Sequence, residues 1–135
     1  MQSVTLYLST AIVFLVIDVI ALKTVIKPMF KTHLGDWLLD EPRMGPAAAF
    51  YLFYVFGVVV FASAPAMAAG DWTRAAWGGA LLGALAYGTY EFTNYATLSR
   101  WNWQLVAFDF SWGILLTTVS ALAGYFITRA VWGGP

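Results

Sequence analysis

The sequence contains no cysteine, one histidine and few charged residues, with seven Lys and Arg against seven Asp and Glu among 135 residues. Without cysteine there is neither a disulfide framework nor a thiol nucleophile, and His33 alone is too little for a haem or transition-metal centre. A formal net charge of zero with no basic run excludes a nucleic-acid-binding module. The sequence therefore predicts no cofactor and no metal site, although a bound lipid fits its apolar character.

Hydrophobic residues make up 61% of the chain, charged residues only 10%, and the mean hydropathy is +0.72. Soluble domains are about 45–50% apolar and about 25% charged. Four apolar runs occupy residues 4–22, 46–69, 75–98 and 104–127. Each is long enough to cross a hydrocarbon core of about 30 Å, and none alternates as a barrel strand does. These runs predict one integral membrane domain over residues 1–135, an all-α membrane protein built as a four-transmembrane-helix bundle.

The first run differs from a cleaved signal peptide in three respects. It has no positive region before it, it contains Asp18, and no small-residue cleavage site follows it. We therefore expect a retained helix.

The segment between the first two runs, residues 23–45, is the one substantial piece expected outside the membrane. Pro28 is expected to end the first helix. Apolar residues after it recur at helical spacing with polar residues between them, which predicts a short amphipathic interfacial helix in this first loop. An irregular loop touching lipid is the alternative. The aromatic side chains predicted at the membrane interface, here and at the ends of other runs, are Phe30, Trp37, Trp101 and Trp103.

Basic residues are unevenly divided between the loops. The first and third loops contain Lys23, Lys27, Lys31, Arg43 and Arg100, whereas the opposite side has only Arg74 and Arg129. The positive-inside rule then places the first and third loops in the cytoplasm. Both chain ends are predicted outside.

Three carboxyl groups, those of Asp18, Glu91 and Asp109, fall inside apolar runs. Ionisable groups within a bilayer normally face the protein interior and mark a functional site. Because successive runs alternate in direction, all three lie in the same leaflet, the cytoplasmic one by the charge rule. Further polar side chains fall in the same layer, and we expect them to complete a polar cluster or ligand pocket: Tyr51, Tyr54, Tyr87, Tyr90 and Asn94.

Small residues at helical spacing indicate where helices pack closely. Gly79 and Gly83 form a GxxxG pair on the third run, and Gly113 offers a small position on the fourth. We expect these glycines at helix–helix contacts.

Three interpretations of the carboxyl groups remain open. They stabilise the bundle by hydrogen bonding, they line a ligand pocket, or they take part in proton or ion translocation. Translocation is less favoured because the opposite leaflet offers only hydroxyl groups such as those of Ser63 and Thr117. No serine in a run has a histidine partner, so no catalytic residue is assigned.

The segment YGTYEFTNYATL at residues 87–98, followed by Trp101 and by DFSWG at residues 109–113, resembles the signature of the DUF2177 family of small bacterial four-span membrane proteins. The segment FYLFYVFGVVVFASAPA at residues 50–66 and Asp18 are also similar to that family. The resemblance implies a multi-pass protein of the bacterial inner membrane and includes the polar residues chosen by depth. The family pattern has aspartate where this chain has Glu91, and the longer side chain disfavours a tightly fitted metal site.

These observations predict a non-enzymatic accessory membrane protein. It would bind a lipid-like or isoprenoid-like ligand, or dock as a small subunit on a larger membrane complex. The expected partners are the lipid bilayer and a membrane protein or a second copy of the chain, with no nucleic acid. The alternatives are a component of a lipid-modifying enzyme that uses the intramembrane carboxyl groups, and a small proton-coupled carrier.

Overall fold

The computed structural model describes residues 1–133, and every regular element within them is helical. The predicted all-α fold is therefore confirmed. The α-helices are α1 (Gln2–Ala21), α2 (Lys27–Leu34), α3 (Met44–Val58), α4 (Ala64–Ala69), α5 (Trp72–Thr97) and α6 (Trp103–Trp132).

Two of these boundaries are π-helical turns that let the chain pass a proline without breaking. The turn Leu22–Ile26 joins α1 to α2 just before Pro28, and Val59–Ser63 joins α3 to α4 just before Pro65. A proline lacks an N–H and clashes with the carbonyl four residues earlier, and a π turn widens the helix where that carbonyl lies. The expectation that Pro28 ends the first helix is therefore wrong.

The predicted loop 23–45 is correspondingly helical over most of its length. Helical structure continues from Gln2 to Trp37, where a short 3-10 turn, Gly35–Trp37, closes α2. Only residues 38–43 connect it to α3 without a helix. The apolar side chains Phe30 and Leu34 of α2 pack against the start of α6.

Short capped connections place the later helices side by side. Gly70 ends α4 in the left-handed conformation, at φ 64° and ψ 33°, where a side chain would be strained. Asp71 then caps α5 by accepting a hydrogen bond from the Thr73 backbone N–H at 3.0 Å. Asn102 caps α6 in the same way through the N–H groups of Gln104 and Leu105. These tight connections make neighbouring helices antiparallel.

Helix α6 is the centre of the structure. It packs along α5 on one side and α1 on another, and its buried face extends from Leu105 to Thr128. At the far end of the bundle, the Trp132 indole donates a hydrogen bond to the Thr5 hydroxyl at 2.9 Å. The beginning of α1 and the end of α6 therefore meet.

Three helical segments are long and apolar enough to cross a membrane: Gln2–Trp37, Met44–Ala69 and Trp103–Trp132. Many of their large apolar side chains are exposed on the outside of the structure, including Phe53 and Phe61. An exposed apolar surface of this extent is what a lipid environment accommodates. Helix α5, although 26 residues long, does not meet the same criterion of apolarity.

Candidate functional site

Glu91 and Asp109 meet between α5 and α6, with their carboxyl groups in hydrogen-bonding contact. Two carboxylates this close repel each other unless they share a proton. Glu91 is completely buried, and its Oε1 atom accepts a hydrogen bond of 2.8 Å from the Trp101 indole. The antiparallel register of α5 and α6 creates this pair, since a residue near the end of α5 faces one near the start of α6.

Asp18 approaches the same region from α1. Its Oδ1 atom accepts a hydrogen bond of 3.3 Å from the Trp112 indole on α6, and the Tyr51 hydroxyl on α3 approaches it from the other side. Asp18 also interacts electrostatically with Asp109. The three residues chosen by depth therefore come together, and we call Asp18, Glu91 and Asp109 the carboxyl cluster.

The carboxyl cluster has no cationic partner within residues 1–133. Arg100, a candidate counter-ion by sequence, instead makes an ion pair of 2.5 Å with Asp36 at the surface. Two buried oxygens, Asp18 Oδ2 and Glu91 Oε2, accept no hydrogen bond from another described side chain or backbone group. The Tyr51 hydroxyl lies beside Asp18, and Asp109 lies beside Glu91.

The surrounding polar side chains divide into two groups. Tyr51 and Tyr87 lie beside the carboxyl cluster, and the ring of Tyr87 covers Gly113 of α6. Tyr54 lies one step away, where its hydroxyl pairs with that of Thr117 at 2.9 Å. Of these three tyrosines, Tyr54 therefore lies outside the polar cluster in which it was expected.

Tyr90 and Asn94 lie towards the surface. The Tyr90 ring meets the Trp101 ring edge to face at 5.7 Å, and the Asn94 side chain interacts with Tyr90. Tyr90 also interacts electrostatically with Glu91 and Asp109, whereas Asn94 is joined to the site through Tyr90.

Trp101, predicted as an interfacial anchor, is instead 7% exposed. Its ring lies between Tyr90 and Phe30, with the centroid of Phe30 at 5.7 Å, and it covers Glu91 from the α2 side. Its side chain is buried because the α5–α6 connection folds inward beneath α2, and its depth relative to the membrane interface stays a prediction.

The other predicted interfacial aromatics lie further out. Trp103 is largely exposed at the start of α6. Trp37 is also exposed, and the guanidinium of Arg100 lies over its ring at 4.8 Å from the centroid. Phe30 is half-buried against Trp101.

Glycines provide the closest helix contacts. A Cβ atom at Gly83 would approach the Gly113 carbonyl oxygen to 2.6 Å, and one at Gly79 would lie 3.0 Å from the Thr118 Cα atom. The predicted packing glycines therefore lie where α5 meets α6. Gly78 makes a similar contact with the turn Val59–Ser63, and Gly124, another small position of the fourth run, makes one with Thr10.

Between Asp109 and Thr128, one stripe of α6 consists of small or polar residues. Two of its hydroxyls, those of Ser120 and Thr128, are buried and make no hydrogen bond with another described group. The spacing of the stripe's residues, at four, four, three, four and four, is typical of one helix face, so the sequence could have indicated this stripe. The residues are Asp109, Gly113, Thr117, Ser120, Gly124 and Thr128. Small side chains on this face let α1 and α5 approach α6 closely.

A groove of about 520 Å³ follows the exposed face of α6, on the other side of Trp112 from Asp18. Its wall is mostly apolar, with polar groups towards the start of the helix. The residues that line it are Trp103, Gln104, Ala107, Phe108, Ser111, Trp112 and Leu115. No sequence pattern pointed to this groove, because it depends on which face of α6 the neighbouring helices leave uncovered.

The chemistry available here is hydrogen bonding and proton sharing. Within the described part of the chain, no group of three or more His, Cys, Asp or Glu side chains is arranged to hold a metal ion. The buried serine and threonine hydroxyls have no histidine near them, since His33 contacts Asn102 at the surface.

Comparison with protein families gives one match, to a family described as predicted membrane protein, DUF2177, over residues 3–126. Neither the curated proteins nor the solved structures contain a match to this chain. The family match covers nearly the whole sequence and confirms the resemblance seen in its motifs. The chain belongs to the DUF2177 family of predicted membrane proteins.

Proposed function

We propose that this protein is a non-enzymatic accessory membrane protein that holds one lipid-like or isoprenoid-like molecule against α6. The observation that carries the proposal is the groove along the exposed face of α6, which shares Trp112 with the carboxyl cluster. Its volume of about 520 Å³ lies within the range of about 300–1,000 Å³ typical of small-molecule sites. An apolar groove on the outside of a membrane protein is open to lipids from the bilayer.

The polar end of the groove lies at the depth at which a membrane lipid has its head group. Gln104 and Ser111 lie towards the start of α6, whereas Leu115 lies deeper along the helix. A lipid would therefore place its tail beside Leu115 and its head group beside Gln104. Trp112, which lines the groove near Leu115, donates its indole N–H to Asp18, so the deeper part of the groove adjoins the carboxyl cluster.

The proposal includes four membrane spans. One of them is α5, whose composition alone is not apolar enough to identify it as a span. At about 1.5 Å per residue, its 26 residues extend about 39 Å, which exceeds the hydrocarbon core. It packs along α6 through Gly79 and Gly83, so the two helices share the same depth. Polar residues lower its hydropathy, but its one carboxyl group, that of Glu91, faces inward.

We further propose a bacterial inner-membrane location with both chain ends outside the cytoplasm and α2 at the cytoplasmic membrane surface. Support comes from the basic residues of α2 and Arg100, which lie at one end of the bundle. Positively charged residues accumulate on the cytoplasmic side.

This orientation predicts that Lys31→Cys and Trp72→Cys react from opposite sides of the membrane. The native chain has no cysteine, and both positions are exposed, so an impermeant thiol reagent added to intact cells would label only the Trp72→Cys variant. Labelling after cell lysis checks that both thiols are reactive. Reaction of Lys31→Cys in intact cells would reverse the orientation.

Filling the groove should displace the lipid. We expect Leu115→Trp to lower the amount of lipid that co-purifies in mild detergent by about tenfold, because an overpacked site loses 1–3 kcal/mol. Leu85→Trp is the matched control, since Leu85 is similarly exposed, on α5, and does not line the groove. Mass spectrometry of the extracted lipids measures the effect.

Three outcomes would contradict this proposal. Equal lipid content in wild type and both variants would mean that the groove holds no specific lipid. A stoichiometric protein partner without bound lipid would favour a small subunit of a larger complex. Conversion of an added lipid by the purified protein would favour an enzyme component that uses the carboxyl cluster.

A further inference from the structure

A second cleft, of about 270 Å³, lies between α2 and the segment that follows it. One wall carries Lys27 and Lys31, which are four residues apart and so lie on one face of the helix. The opposite wall contains Leu39 and Asp40. Lys27 bridges the two walls, since its Nζ atom donates a hydrogen bond of 3.1 Å to the Asp40 backbone carbonyl.

The charges around this cleft favour an anion. Asp36 also lines it, but the Arg100 guanidinium pairs with this carboxylate and offsets its charge. Asp40 then opposes the two lysines with a single negative charge, so the net charge of these side chains is positive. An ammonium group has three N–H donors, and Lys27 uses one of them on Asp40, which leaves two for a ligand.

The position of the cleft matches the head-group layer of a membrane. With α2 at the cytoplasmic membrane surface, as proposed above, the side chains of Lys27 and Lys31 can reach the head-group layer, which extends about 5–8 Å beyond the hydrocarbon core. Leu39 is about half exposed beside the lysines, so an apolar contact adjoins the charged one.

We propose that this cleft binds the phosphate of an anionic phospholipid head group, with Lys27 and Lys31 as its donors and Leu39 against the adjoining acyl chain. The site is separate from the groove on α6 and does not depend on a lipid being held there. Its ligand chemistry is a phosphodiester with a net negative charge. Asp40 opposes binding and sets the affinity of the site to a moderate value.

The test is titration of delipidated protein in detergent with phosphatidylglycerol, with phosphatidylcholine and with free glycerol phosphate, followed by native mass spectrometry. We expect preferential binding of phosphatidylglycerol. Lys31→Gln, which leaves the Lys27–Asp40 hydrogen bond in place, should weaken it about fivefold, the usual effect of one basic residue near an anionic membrane surface. Asp40→Asn should strengthen it, because the opposing charge is removed while the backbone carbonyl remains.

The matched control is Lys23→Gln, which removes a lysine one turn before Lys27 that does not line the cleft. It should change the affinity less than twofold. Equal weakening by Lys23→Gln and Lys31→Gln would mean general attraction to the membrane surface and would overturn the site. Equal binding of free glycerol phosphate would assign the cleft to a soluble phosphate compound, and unchanged affinity in Asp40→Asn would exclude the proposed geometry.

Discussion

Replacing Gly83 by alanine is expected to destabilise the protein by about 1–3 kcal/mol, the usual cost of overpacking a close contact. A Cβ atom there would lie 2.6 Å from the Gly113 carbonyl oxygen and 3.0 Å from the Ile114 Cα atom. Both neighbours are backbone atoms of α6, so relief requires α5 and α6 to move apart. The free energy of unfolding in detergent or in a bilayer mimetic measures the effect.

Gly57→Ala is the matched control for this variant. Gly57 lies within α3, and nothing lies within 4 Å of a Cβ atom built on it. Alanine is favoured over glycine in a helix interior by up to about 1 kcal/mol, and this gain applies at both positions. Gly57→Ala should therefore be neutral or slightly stabilising. Equal stability of the two variants would show that α5 and α6 do not pack through Gly83.

The helical architecture and the meeting of the three carboxyl groups could be predicted from the sequence because both depend on simple geometry. Long apolar runs must form helices in lipid. Alternation of those helices then fixes the relative depth of Asp18, Glu91 and Asp109 without any knowledge of packing. The same reasoning located Gly79 and Gly83, since small residues four apart lie on one helix face.

Rotation about each helix axis and the path of the connections could not be predicted in this way. Trp101 was expected at the membrane interface because it follows an apolar run, but its burial depends on how the α5–α6 connection folds beneath Phe30. Pro28 was expected to end a helix, and a local π turn accommodates it instead. The groove beside Trp112 likewise follows from the face of α6 that α1 and α5 leave open.

Substitutions of Glu91 separate a structural role of the carboxyl cluster from a binding role. Glu91→Gln should cost little stability, because the amide oxygen still accepts the Trp101 hydrogen bond and the amide N–H₂ can donate to Asp109 in place of the shared proton. Glu91→Ala leaves the buried Trp101 indole and Asp109 without that partner. An unsatisfied buried group costs about 1–3 kcal/mol, and couplings measured within membranes, about 0.6 kcal/mol on average, favour the lower end.

The control for these variants is Trp101→Phe, which removes the indole N–H and keeps an aromatic ring against Phe30 and Tyr90. If the Glu91 contact matters through this hydrogen bond, Trp101→Phe destabilises the wild type but has a smaller effect in Glu91→Ala. Thermal unfolding in detergent compares the wild type, the three single variants and the double variant Trp101→Phe/Glu91→Ala. Equal destabilisation by Gln and Ala would mean that Glu91 is ionised and paired with a cation, contrary to the contact with Asp109. Unchanged stability in every variant, together with loss of bound lipid in Glu91→Gln, would instead assign Glu91 to the ligand.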